Sequence, residues 1–157
     1  MRRALGYLLF VLLVPGTGGV YVPWLILTRG GVPPEPTTWP AAVLIGAGLV
    51  LDIWCFWVFV AAGRGTPAVS DAPRRVVAMG PYRWVRNPIY IGALLIVVGE
   101  AWLFLSLPLL LYAIALALGF HLLVVAYEEP TLRGRFGEEY ESYRRSVPRW
   151  ILRSPQR

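Results

Sequence analysis

The chain has 157 residues, 57% of them hydrophobic and 15% charged, and its formal net charge of +6 rests on arginine alone, with no lysine. Soluble domains carry about a quarter charged residues, so this composition argues against a soluble core and for one membrane-embedded domain over residues 1–157. The arginines flank apolar segments, which reads as membrane topology and argues against nucleic-acid binding.

The first apolar segment covers residues 4–28 and is interrupted by Pro15-Gly16-Thr17-Gly18-Gly19, which predicts a kinked or broken helix. Arg2-Arg3 before an apolar run resembles a signal peptide, but no small-x-small cleavage site follows and apolar sequence resumes at Val20, so a retained span is expected. The second segment covers 40–62. It holds Gly46-Ala47-Gly48, which reads first as a helix-packing feature. It also holds Cys55, a lone cysteine with no internal disulfide partner. Residues 63–71 are the loosest stretch.

The third segment covers 88–105, with Asn87 as a good N-cap and Pro88 as first helical residue. Ser106-Leu107-Pro108 signals a tight turn, and the fourth segment covers 108–127. Beyond it, Leu132, Phe136, Tyr140, Tyr143 and Val147 recur at spacings of three and four, the apolar face of an amphipathic helix ended by Pro148. The predicted fold is therefore all-α and polytopic, with four transmembrane helices and a C-terminal amphipathic helix. All arginines but Arg29 fall on one side of the four spans, which places both termini in the cytoplasm.

Two polar motifs end up at the same membrane face. One runs from Gly80 through Pro81, Tyr82, Arg86, Asn87, Pro88 and Tyr90 to Gly92; the other begins at Glu128-Glu129. The first can be a plain juxtamembrane turn with an aromatic belt, or a helix start that binds a carboxylate or phosphate beside a fixed arginine. The glutamates emerge directly from an apolar span, where an unpaired carboxylate is costly. Arg86 is the obvious protein partner, and a ribose diol or a sulfonium cation would be a ligand partner. Asp52, Glu100 and His121 lie inside the spans. A neutral, hydrogen-bonded state suits Glu100, and Asp52 and His121 stay open. No cluster with metal-ligand spacing is present, so no metal is expected.

The pattern Gly-Pro-Tyr-x-x-x-Arg-Asn-Pro-x-Tyr-x-Gly, followed after a helical hairpin by Glu-Glu-x-x-Leu-x-x-x-Phe-Gly-x-x-Tyr-x-x-Tyr and Val147-Pro148-Arg149, resembles the integral-membrane methyltransferases. These are the isoprenylcysteine carboxyl methyltransferases and the phospholipid N-methyltransferases. The resemblance covers residues 80–149. It implies S-adenosylmethionine as cofactor, held by Tyr82, Arg86, Asn87, Pro88, Tyr90, Gly92, Glu128 and Glu129. Gly46 and Gly48 are similar to a Gly-x-Gly of the phospholipid branch. Asn87 stands where the carboxyl methyltransferases usually have histidine, which tilts the acceptor towards a lipid amine.

On this reading Arg86 holds the methionine carboxylate, and Glu129 or Tyr90 accepts the proton of an amine, so that Arg86, Glu129 and Tyr90 form the catalytic group. The partners are the lipid bilayer and a lipid or small apolar acceptor, and the location is a bacterial inner membrane with the site facing the cytoplasm. Two other readings compete: an NADPH-dependent membrane reductase related to sterol reductases, which share a similar hairpin, and a non-enzymatic membrane scaffold.

Overall fold

The structure is a computed structural model that describes residues 17–30, 38–61 and 76–153. The first half of the expected first span, the loose stretch 63–71, and Arg2, Arg3, Arg64, Arg74, Arg75 and Arg157 lie outside the described residues.

Within them every regular element is helical. A π-helical turn, Thr17–Tyr21, leads into α1, Val22–Gly30. The irregular turn falls on the Gly18-Gly19 pair, where the sequence predicts an interruption. Helix α2 is Thr38–Ala61, a 3-10 turn covers Gly80–Arg83, α3 is Pro88–Leu103 and α4 is Leu107–Leu123. Helix α4 does not stop before the glutamates. It runs through a π-helical turn, Val124–Glu128, into α5, Glu129–Phe136, and α6 follows as Glu138–Ser146.

Two of these helices are long and apolar enough to cross a membrane, Trp39–Val58 and the continuous Leu107–Phe136. The apolar part of the latter ends at Tyr127; charged side chains begin at Glu128. Helix α3 is apolar throughout, but its 16 residues give about 24 Å, short of the roughly 30 Å hydrocarbon core. Trp39, Val43, Val50, Ile53 and Trp57 of α2 stay exposed. A soluble monomer rarely shows such a continuous apolar face, and a bilayer covers it without cost.

Helix α3 lies between α2 and α4. A Cβ built on Gly48 of α2 would lie 2.6 Å from the Gly92 carbonyl oxygen and 2.8 Å from Ile96 Cγ1, so the two backbones touch at this crossing. Helices α3 and α4 are joined by a Schellman turn. The Ser106 N–H donates to the Ala101 carbonyl at 2.9 Å and the Leu105 N–H to Trp102 at 3.1 Å, with Leu105 at φ +46°. The π-helical turn before α1 is tied to α4 where the Tyr112 hydroxyl donates to the Gly18 carbonyl at 2.9 Å.

The expected amphipathic helix over 132–147 is two helices. Gly137 adopts φ +52°, a conformation that ends α5 and starts α6 at a corner. Leu132 and Phe136 thereby extend the long helix, while Tyr140, Tyr143 and Val147 turn back onto the 80–92 loop.

Candidate functional site

The 80–92 loop is seated against the end of α2. Gly80 has φ +55°, and Tyr82 joins Cys55, Val58 and Val77 in a small core with Leu51 and Ile89 packed on it. Trp84 meets Trp54 edge-on, with centroids 5.5 Å apart. The Tyr143 hydroxyl of α6 donates to the Tyr82 carbonyl at 2.7 Å, which ties the C-terminal helix to the turn.

Beyond α6 the chain folds over the same loop. The Arg86 N–H donates to the Pro148 carbonyl at 2.9 Å and the Arg153 N–H to the Trp84 carbonyl at 3.1 Å. Asn87 occupies the N-cap position of α3 but makes no side-chain cap bond. Its amide N–H donates instead to the Arg149 carbonyl at 3.2 Å, so the side chain is turned to the long-range strap and its oxygen does not accept from the first turn of α3.

Under this strap lies a buried charge cluster. Arg86 Nη1 donates to Glu129 Oε1 at 3.0 Å and to the Tyr140 hydroxyl at 3.3 Å. Arg149 grips the same carboxylate with both prongs, Nε to Oε1 at 2.6 Å and Nη2 to Oε2 at 3.0 Å. Glu129 is only 7% exposed. Burial alone would raise its carboxyl, but the Arg149 hydrogen bond and the charges of Arg86, Arg149 and Arg144 outweigh it and hold the group below the ordinary glutamate range. Burial raises the Tyr140 hydroxyl above its usual value against the pull of Arg86.

The neighbouring carboxylate is placed differently. Glu128 accepts a hydrogen bond from the Tyr90 hydroxyl and forms no ion pair among the described residues. Burial raises its carboxyl, the Tyr90 hydrogen bond lowers it, and the negative charge of Glu129 adds to the rise. The Tyr90 ring stacks on Phe120 of α4 with centroids 4.5 Å apart, and Trp150 of the strap lies 6.4 Å from it. The Trp150 indole N–H donates to His121 Nδ1 at 3.1 Å. The π-helical turn that ends at Glu128 lies inside this group, and such turns recur at functional sites.

The fold thus brings Tyr82, Arg86, Asn87, Pro88, Tyr90, Glu128 and Glu129 to one end of the bundle. Gly92 is near them in sequence but faces α2, where the Asp52 carboxylate sits against it. Gly48 faces Gly92, and Gly46 opens onto free space. Among the described residues, Asp52 Oδ1 and Glu100 Oε2 are buried without a hydrogen-bond partner, as is Arg86 Nε. Residue-by-residue reading passed over Arg149, Tyr140, Phe120 and Trp150 as site residues. The signal for Arg149 was present in the Val147-Pro148-Arg149 run; Phe120 and Trp150 carried none, because an apolar span and a basic tail hide single aromatic residues.

The model of one protein family, described as phospholipid methyltransferase, matches residues 36–139. The match takes in α2, the 80–92 loop, the α3–α4 hairpin and both glutamates, and stops short of the strap. No curated protein and no solved structure matches the chain.

Proposed function

The chain belongs to the phospholipid methyltransferase family, and we propose that it transfers a methyl group from S-adenosylmethionine to a lipid acceptor at the membrane face that holds Arg86, Glu128 and Glu129. The observation that carries this reading is the unequal treatment of the two adjacent glutamates. Glu129 is neutralised by two arginines, whereas Glu128 has only the Tyr90 hydroxyl as a partner and no cation among the described residues. Arg86, paired with the adjacent Glu129, keeps a buried donor, Nε, without an acceptor among the described residues. An unneutralised carboxylate next to an unused arginine donor suits a zwitterionic ligand with separate positive and negative ends, which is the chemistry of the methionine part of the cofactor.

In this proposal Arg86, oriented by Glu129 and Tyr140, binds the carboxylate of the donor, and Glu128 faces its cationic end. Tyr82, Asn87 and Pro88 shape the wall of the pocket, Gly48 and Gly92 keep α2 close enough to α3 to close it, and Gly46 faces outward. The bound cofactor supplies an electrophilic methyl group on a sulfonium, so the protein's task is alignment and electrostatics rather than covalent chemistry.

An amine acceptor must lose a proton. Glu129 is a poor acceptor because its arginines stabilise the anion. Glu128, linked to the Tyr90 hydroxyl, is the better one, so the proton goes to its carboxylate. A carboxylate acceptor of the isoprenylcysteine kind would meet the negative Glu128 directly, so an amine head group such as that of a phospholipid is the acceptor favoured here.

Titration calorimetry with S-adenosylmethionine on the purified protein in nanodiscs tests the reading. Saturable binding that is lost in Glu128→Gln and in Arg86→Gln, with folding retained in Glu128→Gln, is expected. Absence of binding to the wild-type protein refutes it. Mass spectrometry of lipids from cells with and without the protein then identifies the acceptor by gains of one, two or three methyl masses.

A further inference from the structure

Several features stand outside that chemistry. An open apolar cleft at the α3–α4 turn, lined by Val98, Trp102, Leu105 and Leu110, holds no group that would choose an occupant. Glu100 and Asp52 are solitary carboxylates inside the helices. The outer surface of the strap carries more.

The strap turns two large apolar side chains outward. Ile151 is 77% exposed, the most of any large hydrophobic among the described residues, and Leu152 is 68% exposed. Surrounded by water, such a tip would be an open apolar patch. Its two anchors place it elsewhere. On one side, the Trp150 indole N–H donates to His121 Nδ1 at 3.1 Å. His121 stands seven residues before Glu128 on the same continuous helix, about 10 Å along the axis into its apolar part. The Trp150 ring thus reaches past the charged end of the bundle, and indole rings settle at that boundary of a bilayer. On the other side, the Arg153 N–H donates to the Trp84 carbonyl at 3.1 Å. Trp84 rests edge-on against Trp54, which with Trp57 belongs to the exposed apolar surface of α2. Ile151 and Leu152 lie between these anchors, so the tip continues the surface that a bilayer covers.

The charges around the tip differ from those deeper in the fold. Arg86, Arg133, Arg144, Arg145 and Arg149 are each held by a glutamate. Arg83 and Arg153 are exposed and form no ion pair among the described residues. The bond from Arg153 to the Trp84 carbonyl sets these two arginines on adjoining stretches of chain. The free cations therefore gather beside the apolar tip.

That combination narrows the partner. A dissolved anion would match the arginines and leave Ile151 and Leu152 in water. A neutral apolar surface would cover the pair and leave the arginines unmatched. A leaflet of anionic phospholipid offers hydrocarbon with negative charge just outside it, in the order in which the strap offers its apolar tip and its guanidiniums.

From this juxtaposition we propose that Ile151 and Leu152, with Arg83 and Arg153 beside them, form a docking surface for anionic phospholipid in the leaflet at the charged end of the bundle. The apolar pair inserts, and the two guanidiniums meet the headgroup anions. Docking holds down the strap, and with it Arg149 on Glu129 and the Arg149 carbonyl on Asn87. The inference does not depend on methyl transfer.

The test attaches an environment-sensitive fluorophore to Ile151→Cys, with Leu152→Cys in parallel, in nanodiscs of phosphatidylcholine. Cys55 is 0% exposed and is shielded from the label. Glu138→Cys, on the exposed side of α6, is the water-facing control, since the Glu138 side chain is 81% exposed. Three quenchers are compared: iodide in the water, and small equal fractions of phosphatidylcholine or phosphatidylglycerol carrying a nitroxide high on the acyl chain. The label at 151 should be sheltered from iodide relative to the label at 138 and quenched by both lipids. Nitroxide-phosphatidylglycerol should be enriched about fivefold or more over nitroxide-phosphatidylcholine, the worth of one basic residue at an anionic surface. Arg83→Gln combined with Arg153→Gln should remove that preference and keep the shelter from iodide, because the backbone bond of residue 153 and the apolar pair are unchanged.

Equal iodide quenching at 151 and 138 overturns the docking surface and leaves the tip to a protein partner. Equal quenching by the two lipids with both arginines present overturns its lipid selectivity, even if the double variant misfolds. A preference that survives in the folded double variant overturns the role of Arg83 and Arg153. No methyl donor enters these measurements, so their failure leaves the calorimetric test of donor binding untouched.

Discussion

Replacing Gly48 and Gly46 by alanine, one at a time, separates two roles for a pair of glycines two residues apart on α2. A methyl group at Gly48 would lie 2.6 Å from the Gly92 carbonyl oxygen, 2.8 Å from Ile96 Cγ1 and 3.1 Å from the Ile96 nitrogen. Two of these three neighbours are α3 backbone, so no side-chain rotation relieves the contact, and the helices must part by roughly 0.8 Å to reach ordinary van der Waals distance. Forcing an extra methyl into a packed interface costs about 1–3 kcal/mol. A methyl at Gly46 meets nothing within 4 Å. Both substitutions gain the same helix propensity, about 1 kcal/mol in water, so the difference between the variants isolates the packing term. Gly48→Ala should be less stable than Gly46→Ala by about 1–3 kcal/mol, at about 2–4 °C of melting temperature per kcal/mol for a chain of this size. Thermal unfolding of both proteins in the same detergent measures it. Equal melting temperatures, or a greater loss at Gly46, would refute the account of the α2–α3 crossing. In the same samples, weaker cofactor binding in Gly46→Ala without loss of stability would place Gly46 against the ligand instead.

The remaining predictions concern the charge cluster and the hairpin. Glu129→Gln leaves the buried Arg86 guanidinium without its anion and should lower stability by about 3 kcal/mol, read by denaturant unfolding; a loss below about 1 kcal/mol would mean that the cluster behaves as a surface pair. Since the arginines hold the Glu129 carboxyl below its ordinary value, its contribution is complete above about pH 4.3 and disappears as pH falls through the lowered value. The wild-type unfolding midpoint should therefore drop on acidification in a way that Glu129→Gln does not. Leu105 is 67% exposed and sits at φ +46°, where a side chain costs about 1–2 kcal/mol. Leu105→Gly should raise stability by up to about 1 kcal/mol once the greater freedom of unfolded glycine is counted, and a clear decrease in melting temperature would contradict the Schellman assignment.

Much of the site was legible because it rests on local chemistry and on membrane cost. A carboxylate pair leaving an apolar span needs a cation, and Arg86 at the same end was the evident partner; the 3.0 Å contact with Glu129 bears that out. Gly-Pro before Asn-Pro marks a turn and a helix start, and both appear at Gly80–Arg83 and Pro88. The turn at Ser106 and the irregular start near Gly18 follow from equally local rules. Boundaries were less readable. The apolar segment ends at 127, yet the helix does not: proline is tolerated in the first turn of α5 and the helix continues through Pro130. The amphipathic period across Gly137 looked unbroken, because periodicity records which residues are apolar and not the backbone dihedral between them.

The order of residues alone determined that this chain is helical and apolar, that its polar residues gather into two motifs, and that those motifs belong at one end of a helical hairpin. Those properties come from side-chain chemistry summed along single segments. Which glutamate meets arginine and which meets tyrosine was decided only by the tertiary structure, since it depends on the strap at 148–153 folding over residues 84–87. The same holds for Asn87, drawn from its cap to the Arg149 carbonyl, and for Gly48, pressed against α3 while Gly46 is free. Each of these is a contact between segments distant along the chain, chosen by burial and by the need to satisfy buried charge, and a single segment carries no record of its neighbour.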